Sequence, residues 1–573
     1  MPELTAAAPP GSRLFPAALL LPGDAFDTDQ FQVLGRRVAG RSMARGLCAH
    51  LADGEELTLL VSSEPEARRL KELLEPALPS GARLRLAIGF HRESFQAVGA
   101  LHVPDPGLAR WEMLRAGQPA NRFSITGVIH TLCSESVFNA MADLVTAPLQ
   151  PWDALVCTSS AGRSVVQAAM DHRHQALERR FGQSLPRPAG PQLPLIPLAV
   201  EEPLQPLAPV DVLDPGQRDG LRRQARSALQ LPASAFVLLF LGRLSFHSKA
   251  HPLPLYRAVA RLMQRHPGQE VILLECGHLF NSSVAEAYDQ LQQDLPQLQI
   301  RRLGGLQPAS EHEKALALAA ADLFVSPADN LQETFGLSVI EAMAAALPTV
   351  VSDWDGYKDL VHDGVTGIRV PIRTAFSQRG RLDPLDRSYR LGLIDYDNMI
   401  GVLSLAAVVE EDALLESLER LLLDPGRRQT MGTMARHRWQ QHFCWPVVQR
   451  QYRDLWLELA ALRQAAGPLP PAPPAQAPMA DLFAGYGTEA FVASRVICSA
   501  GCTPASFLER PMVQLFSQLL CGGAHGAVIR QLSDEGQISD SDLERLGVPA
   551  GRRQAVLAML VKLGIARVCA DAS

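Results

Sequence analysis

The sequence predicts an α/β protein: two doubly wound parallel-sheet domains followed by a small, mostly helical, winged-helix-like module. Three observations carry this. Short apolar runs alternate with helix-period patterns along most of the chain, as parallel strands joined by helical crossovers do. At 573 residues the chain exceeds what one hydrophobic core supports. Two Pro-rich stretches, 193–209 and 467–478, interrupt the pattern and divide it.

In the first half, the runs 17–21, 57–62, 83–89, 124–129 and 154–158 read as strands. In the second, 236–241, 271–276, 299–302, 323–326 and 349–352 do. Each set suits one Rossmann-type domain, giving 1–200 and 201–465. The second domain carries an irregular insertion at about 373–401 and ends in helices. The stretch GPLPPAPPAQAP reads as a semi-rigid spacer within a linker at 466–480. The remaining module, 481–573, ends in a helix, turn, helix and short strand.

The bulk numbers exclude several classes. With 47% hydrophobic and 20% charged residues the chain is ordinary globular material. A net charge of -6 gives no field that attracts nucleic acid. The nine cysteines are scattered without a CxxC, so a reducing cytosol is expected rather than a disulfide framework or zinc site. Neither a signal peptide nor a membrane-spanning run is expected.

The chemistry concentrates between 242 and 341. In FVLLFLGRLSFHSKAHP an apolar strand ends at Gly242, and Arg243 and Lys249 follow. Fixed cations just past a strand's C-terminal edge are what a bound diphosphate needs, although a solvated loop pair reads equally well from these residues alone. In SPADNLQETFGLSVIEAMAAALPTVVSD a strand, a polar loop and a helix follow one another, the helix starting near Thr334 or Gly336. Its first amides, at Phe335, Gly336 and Leu337, favour an anion. Glu333 and Asp329 read as caps as readily as ligands. Glu341 sits within the apolar run VIEAMAAAL, where a carboxylate needs a partner or a ligand.

This region resembles the C-terminal domain of retaining glycosyltransferases of the GT-B fold, group 1, family four. The resemblance rests on the two glutamates of ETFGLSVIE, with seven residues between them, on EAMAAALPTVVSD behind them, and on the Arg and Lys of GRLSFHSK. It implies a GT-B-like pair of domains facing a cleft. It also implies transfer of a sugar from a nucleoside-diphosphate sugar to an acceptor, with retention. On that resemblance Gly242, Arg243, Lys249, Glu333, Thr334, Phe335, Gly336, Leu337 and Glu341 bind the donor. Arg243 and Lys249 hold its diphosphate, Glu341 its ribose and Glu333 the transferred sugar. The family spaces its Arg and Lys by five; here the loop is one residue longer.

In the first half the resemblance is weaker. A strand ends at His130, which it implies faces the donor across the cleft and joins Glu333, Arg243 and Lys249 as a catalytic residue. A structural histidine reads as well. Ser159 and Arg163 in CTSSAGRSVV are acceptor candidates, with helix capping the stronger reading for Ser159. Gly35 and Gly40 stand where the family has a glycine-rich loop, and Gly40 is a third acceptor candidate. Arg37, Arg41 and Arg45 form a stripe on one helix face, read first as solvated.

No metal or other cofactor is expected, the nucleotide-sugar being substrate. A glycan, a lipid-linked glycan or a small molecule is the expected acceptor. From Asp481 onward eight Lys/Arg stand against nine Asp/Glu, so the tail is expected to meet a protein and not nucleic acid. The expected location is cytoplasmic, peripheral at the inner membrane face, with polysaccharide biosynthesis as context. An epimerase or sugar phosphorylase on the same architecture, and a non-catalytic nucleotide-sugar sensor, are the competing readings.

Overall fold

The computed structural model describes residues 13–27, 35–89, 93–207, 211–376, 384–473 and 477–569. Residues 208–209 and 474–476 of the Pro-rich stretches and residues 377–383 of the insertion lie outside these. The chain divides into two compact units, Met1–Gln476 and Ala477–Ser573.

The first unit holds two parallel sheets. One is built from β1 (Arg13–Leu14), β2 (Ala18–Leu20), β3 (Glu55–Val61), β4 (Arg83–Ile88), β5 (Ala100–Val103), β6 (Ser124–Val128) and β7 (Ala154–Val156). Its strand β3 pairs with β4 on one side and with β1 and β2 on the other, and β5, β6 and β7 follow from β2. The second sheet has β8 (Phe236–Leu244), β9 (Val271–Leu279), β10 (Gln299–Leu303), β11 (Leu323–Ser326), β12 (Thr349–Ser352) and β13 (Gly367–Val370), in the order β10-β9-β8-β11-β12-β13. Apolar runs such as VLLFL are buried on both faces, as strands covered by helices on each side must be.

Every expected strand is present. In the two parallel sheets β1, β5 and β13 were not expected, β1 being only two residues long. Strand β5, ALHV, is interrupted by His102, a buried ring 3.0 Å from Thr126 Oγ1. Strand β13, GIRV, is short and carries Arg369. Strand β8 runs past its expected end, because β9 continues beside it and pairs Gly242 with Gly277 and Arg243 with His278.

Three expected boundaries need correction. The described part of the expected 193–209 linker, 193–207, is no free linker: the Ile196 amide donates to Cys157 O at 3.1 Å and the Val200 amide to Phe443 O at 3.2 Å, so it is stitched to both domains. The second domain does not keep all of 201–465. The helix Trp445–Ala465 buries Trp445, Val448, Tyr452, Leu455, Trp456 and Leu459 in the core of the first sheet. That spacing is one amphipathic stripe, which binds the second half of the chain back to the first domain. The spacer at 466–480 is pinned at its start, where the Ala472 amide donates to Gln118 O at 2.8 Å.

The insertion is less irregular than its sequence. It carries β14 (Ile372–Thr374), paired antiparallel with β15 (Ala407–Val409), and the helices Pro384–Arg390 and Tyr396–Ser404. Its Tyr389 hydroxyl accepts from the Glu135 amide at 2.9 Å, and the Tyr396 hydroxyl donates to Gln332 Oε1 at 3.1 Å.

The second unit has its own core around Val496, Val528, Leu532, Leu543, Leu557 and Leu560. Strands β16 (Arg495–Cys498), β17 (Gln537–Ser539) and β18 (Ala566–Val568) form an antiparallel sheet in the order β17-β16-β18. The helices Asp540–Arg545 and Ala550–Lys562 lie between β17 and β18, the helix–turn–helix–strand sequence expected of a winged-helix-like module.

Candidate active site between the two sheets

The C-terminal strand edges of the two sheets border one cleft of about 280 Å³. From the second domain it is lined by Gly242, Arg243, Lys249, Glu333, Thr334, Phe335, Gly336, Leu337 and Glu341. From the first come Gly35, Arg36, Val38, His130 and Thr131. All the donor-site residues predicted from the sequence, and His130, therefore border one space.

The longer loop after Arg243 does not displace Lys249. The Lys249 amide donates to Ser245 O at 3.1 Å, and Ser245 and Ser248 hydroxyls meet at 2.8 Å. The loop thereby absorbs its extra residue in a tight curl. Lys249 Nζ donates to Glu333 Oε2 and lies 3.4 Å from the Tyr357 hydroxyl. Both members of this pair are mostly covered, with side chains 13% and 14% exposed. Burial pulls the Lys249 ammonium down, but Glu333 and Tyr357 outweigh it and its pKa lies above the ordinary value. Asp355 adjoins them. Burial, then the Glu333 charge, push its carboxyl well above the usual range.

Arg243 differs. It has no ion pair among the described residues, and its guanidinium lies 5.9 Å from the Phe280 ring centroid. Burial lowers its pKa while Glu333, Tyr396 and Asp397 support its charge from further off. It remains a cation, since no environment here deprotonates a guanidinium.

Gly336 has φ 110°, and a Cβ there would lie 2.4 Å from the Tyr357 ring, so only glycine fits. That turn sets the start of the helix Leu337–Ala344 and puts its first residues, Leu337 and Ser338, on the cleft. The helix begins slightly later than expected. Glu341, one turn in, finds the partner its burial demanded: Lys314 Nζ at 3.0 Å, from the helix Glu311–Ala320. Lys314, Asp355, Tyr357 and Arg36 were not found from the sequence. Lys314 carried a signal, a lone cation in EKALALAA.

On the facing side, burial and then Arg36 depress the His130 imidazole to about 4, so the ring is neutral at pH 7. Its backbone oxygen accepts from Thr334 Oγ1 at 2.8 Å, and Ser159 Oγ donates to Thr334 O at 2.8 Å. Thr334 is thus held by the first domain from two directions. Ser159 also caps the helix Ser160–Phe181 through the Gly162 amide.

The acceptor candidates need correction. Arg163 is exposed and does not border the cleft. Gly40 lies inside the helix Gly35–Ala49, not before it, and a Cβ there would come 2.2 Å from Ala25 O. It is a close-packing glycine. The arginine stripe is not uniformly solvated either: Arg37 is buried and its Nε donates to Asp24 O at 3.1 Å. Arg36 instead reaches the cleft. It also borders a second cavity, of about 600 Å³, with Asp24, Asp105, Arg110, Trp111, Met113 and Leu114. Arg36 pairs with Asp24 at 2.7 Å and Arg110 with Asp105 at 2.6 Å.

The family described as glycosyl transferases group 1 matches residues 235–379, the stretch that builds the charged side of the cleft. The resemblance read from the residues is borne out over this segment, which matches that family's model. The chain is 33% identical over 193 residues to the D-inositol 3-phosphate glycosyltransferase of Corynebacterium kroppenstedtii, covering 33% of this chain and 41% of that one. It is 31% identical over 240 residues to the protein of that name from Corynebacterium jeikeium, covering 40% of this chain and 54% of the relative. The chain thus spans about half or less of these curated relatives. Among solved structures, Anabaena HepE in complex with UDP aligns over 77% of this chain and all of its own, at 15% identity and a TM-score of 0.48. No described helix is long and apolar enough to cross a membrane.

Proposed function

We propose that the protein transfers a sugar from a nucleoside-diphosphate sugar to an acceptor, with retention at the anomeric carbon. The observation that carries this reading is the Arg243 cation, without an ion pair among the described residues, in the same cleft as the Lys249–Glu333 pair and the first amides of the helix Leu337–Ala344. A largely desolvated cation with no ion-pair partner among the described residues is costly in the resting protein, and an arriving anion offsets that cost.

The donor diphosphate sits against Arg243, Lys249 and those amides. Once phosphate oxygens take the Lys249 ammonium, Glu333 is released to accept hydrogen bonds from the hydroxyls of the transferred sugar. As the anomeric C–O bond breaks, negative charge grows on the leaving diphosphate and the same cations stabilise it. The acceptor oxygen forms the new bond on the same face, and its proton passes to the departing phosphate. The neutral His130 ring faces the sugar and can hydrogen-bond it without adding charge. These groups carry the diphosphate charge without a metal. The acceptor enters from the cavity at Arg36 and Trp111. The names of the relatives point to small polar acceptors, with a glycan or lipid-linked glycan as the alternative.

The test is Glu333→Ala assayed for sugar transfer from UDP-, GDP- and ADP-sugars. Loss of transfer with nucleotide binding retained is the expected result. Unchanged transfer would remove Glu333 from the reaction.

A further inference from the structure

We infer that Tyr396, carried by the insertion, is a positioning residue for sugar transfer: its hydroxyl ties the loop that presents Glu333 to the loop that follows His130. This rests on the transferase reading of the cleft. The insertion follows β13 in the second domain, yet it packs against both domains. On the first, the Glu135 amide donates to the Tyr389 hydroxyl at 2.9 Å, and Arg390 lies 4.7 Å from the Phe138 ring centroid. On the second, Gly401 stands against the loop between Arg243 and Lys249, where an added Cβ would come 3.2 Å from the His247 Cβ. Between the two, Met399 and Ile400 are buried with Cys133, and Leu331 packs against them.

Tyr396 is the first residue of the helix Tyr396–Ser404, behind the Asp395 cap. A phenol has one proton. Here it goes to Gln332 Oε1 at 3.1 Å, so the oxygen accepts from Cys133 Sγ, also at 3.1 Å. Gln332 precedes Glu333 directly, and Cys133 stands three residues past His130. Glu333 is thereby flanked by two residues that the facing domain holds. Thr334 is bonded to it directly, and Gln332 is bonded to it through Tyr396. One anchored flank would let Glu333 pivot; two set its direction. Nucleotide affinity, in contrast, rests on Arg243, Lys249 and the start of the helix Leu337–Ala344, none of which the Tyr396 hydroxyl bonds. Loss of the tie therefore acts on transfer more than on binding, since a displacement of about 1 Å can cost on the order of 10²-fold in rate.

Tyr396→Phe keeps the ring and removes the bond. The full chain is assayed for nucleoside diphosphate released from UDP-, GDP- and ADP-glucose, and titrated calorimetrically with UDP, GDP and ADP. In the variant kcat is expected to fall about tenfold, while KM for the donor and Kd for the nucleotide stay within about threefold. Gln332→Met, which keeps length and removes the acceptor, is expected to show the same split and serves if Tyr396→Phe does not fold. The double variant is expected to cost no more than either alone, because both remove one bond. A side chain that only packs the insertion would produce neither the split nor the non-additivity. Wild-type kcat in either variant, equal losses in kcat and nucleotide affinity, or additive losses in the double variant overturn this inference and leave the donor site standing. A wild type that binds no nucleoside diphosphate, or releases none from any of the three donors, overturns the transferase reading and this inference together.

Discussion

The two sides of the cleft are built on opposite plans. The second domain crowds it with charge: Arg243, the Lys249–Glu333 pair and the Lys314–Glu341 pair. The first domain offers Arg36, a neutral His130, Thr131 and small or apolar residues. Yet the first domain holds the second by hydrogen bonds, gripping Thr334 through the His130 carbonyl and the Ser159 hydroxyl. The difference separates two tasks. One side recognises a polyanion and steadies the charge that grows when it leaves. The other sets position and admits the second substrate.

If this division holds, mutations on the two sides must differ in kind. The largest effect is expected on the charged side. Arg243→Ala should lower kcat/KM about 10²–10³-fold, the range for losing one preorganised charge-stabilising group. His130→Ala, measured in the same assay, should cost nearer tenfold because it removes a neutral contact. Equal losses would erase the distinction.

Next comes Asp329, buried behind the charged side and hydrogen-bonded to the His251 amide at 3.3 Å. Burial raises its carboxyl from 3.8 to about 7. The folded protein therefore holds this proton more tightly than the unfolded chain. The stability it contributes is complete below about pH 4 and lost as pH rises towards 7, at about 1.4 kcal/mol per pH unit within that window. Asp329→Asn should flatten that part of the stability profile in urea titrations, and a profile unchanged by the substitution would contradict the assignment.

The hydrogen bonds between domains are worth less. Thr334→Val removes the donor to the His130 carbonyl and should cost about 1 kcal/mol in the denaturant midpoint. Arg163→Ala should be the mildest, within about 0.5 kcal/mol and without effect on turnover, since that side chain is exposed and away from the cleft.

The charged side was legible in the sequence and the other side much less so, for a physical reason. Glu341 and the Arg243–Lys249 pair are charges set in apolar surroundings within one short stretch, so local context exposes them. Their partners are not local. Lys314 reaches Glu341 from another helix, and Asp355 approaches Glu333 from a turn beyond the next strand; neither pairing follows from spacing. The helix Trp445–Ala465 announces its buried stripe through its periodicity, but amphipathicity does not say which core receives it. Gly40 misled because a glycine near a helix start reads as a ligand loop, whereas here it accommodates the Ala25 carbonyl. The insertion looked irregular because its helices are short and take their order from Phe138, Cys133 and Gln332, contacts remote in sequence.

The most direct test of the central claim, that the charged side is a nucleoside-diphosphate site, is thermal stabilisation of the full chain by UDP, GDP and ADP, with Arg243→Ala in parallel. A ligand confined to the native state stabilises it by about 2.7 kcal/mol at a hundredfold excess over its dissociation constant. The account predicts that one of the three gives such a shift in the wild type and that Arg243→Ala loses most of it. No shift with any of them, or an equal shift in both proteins, would contradict it.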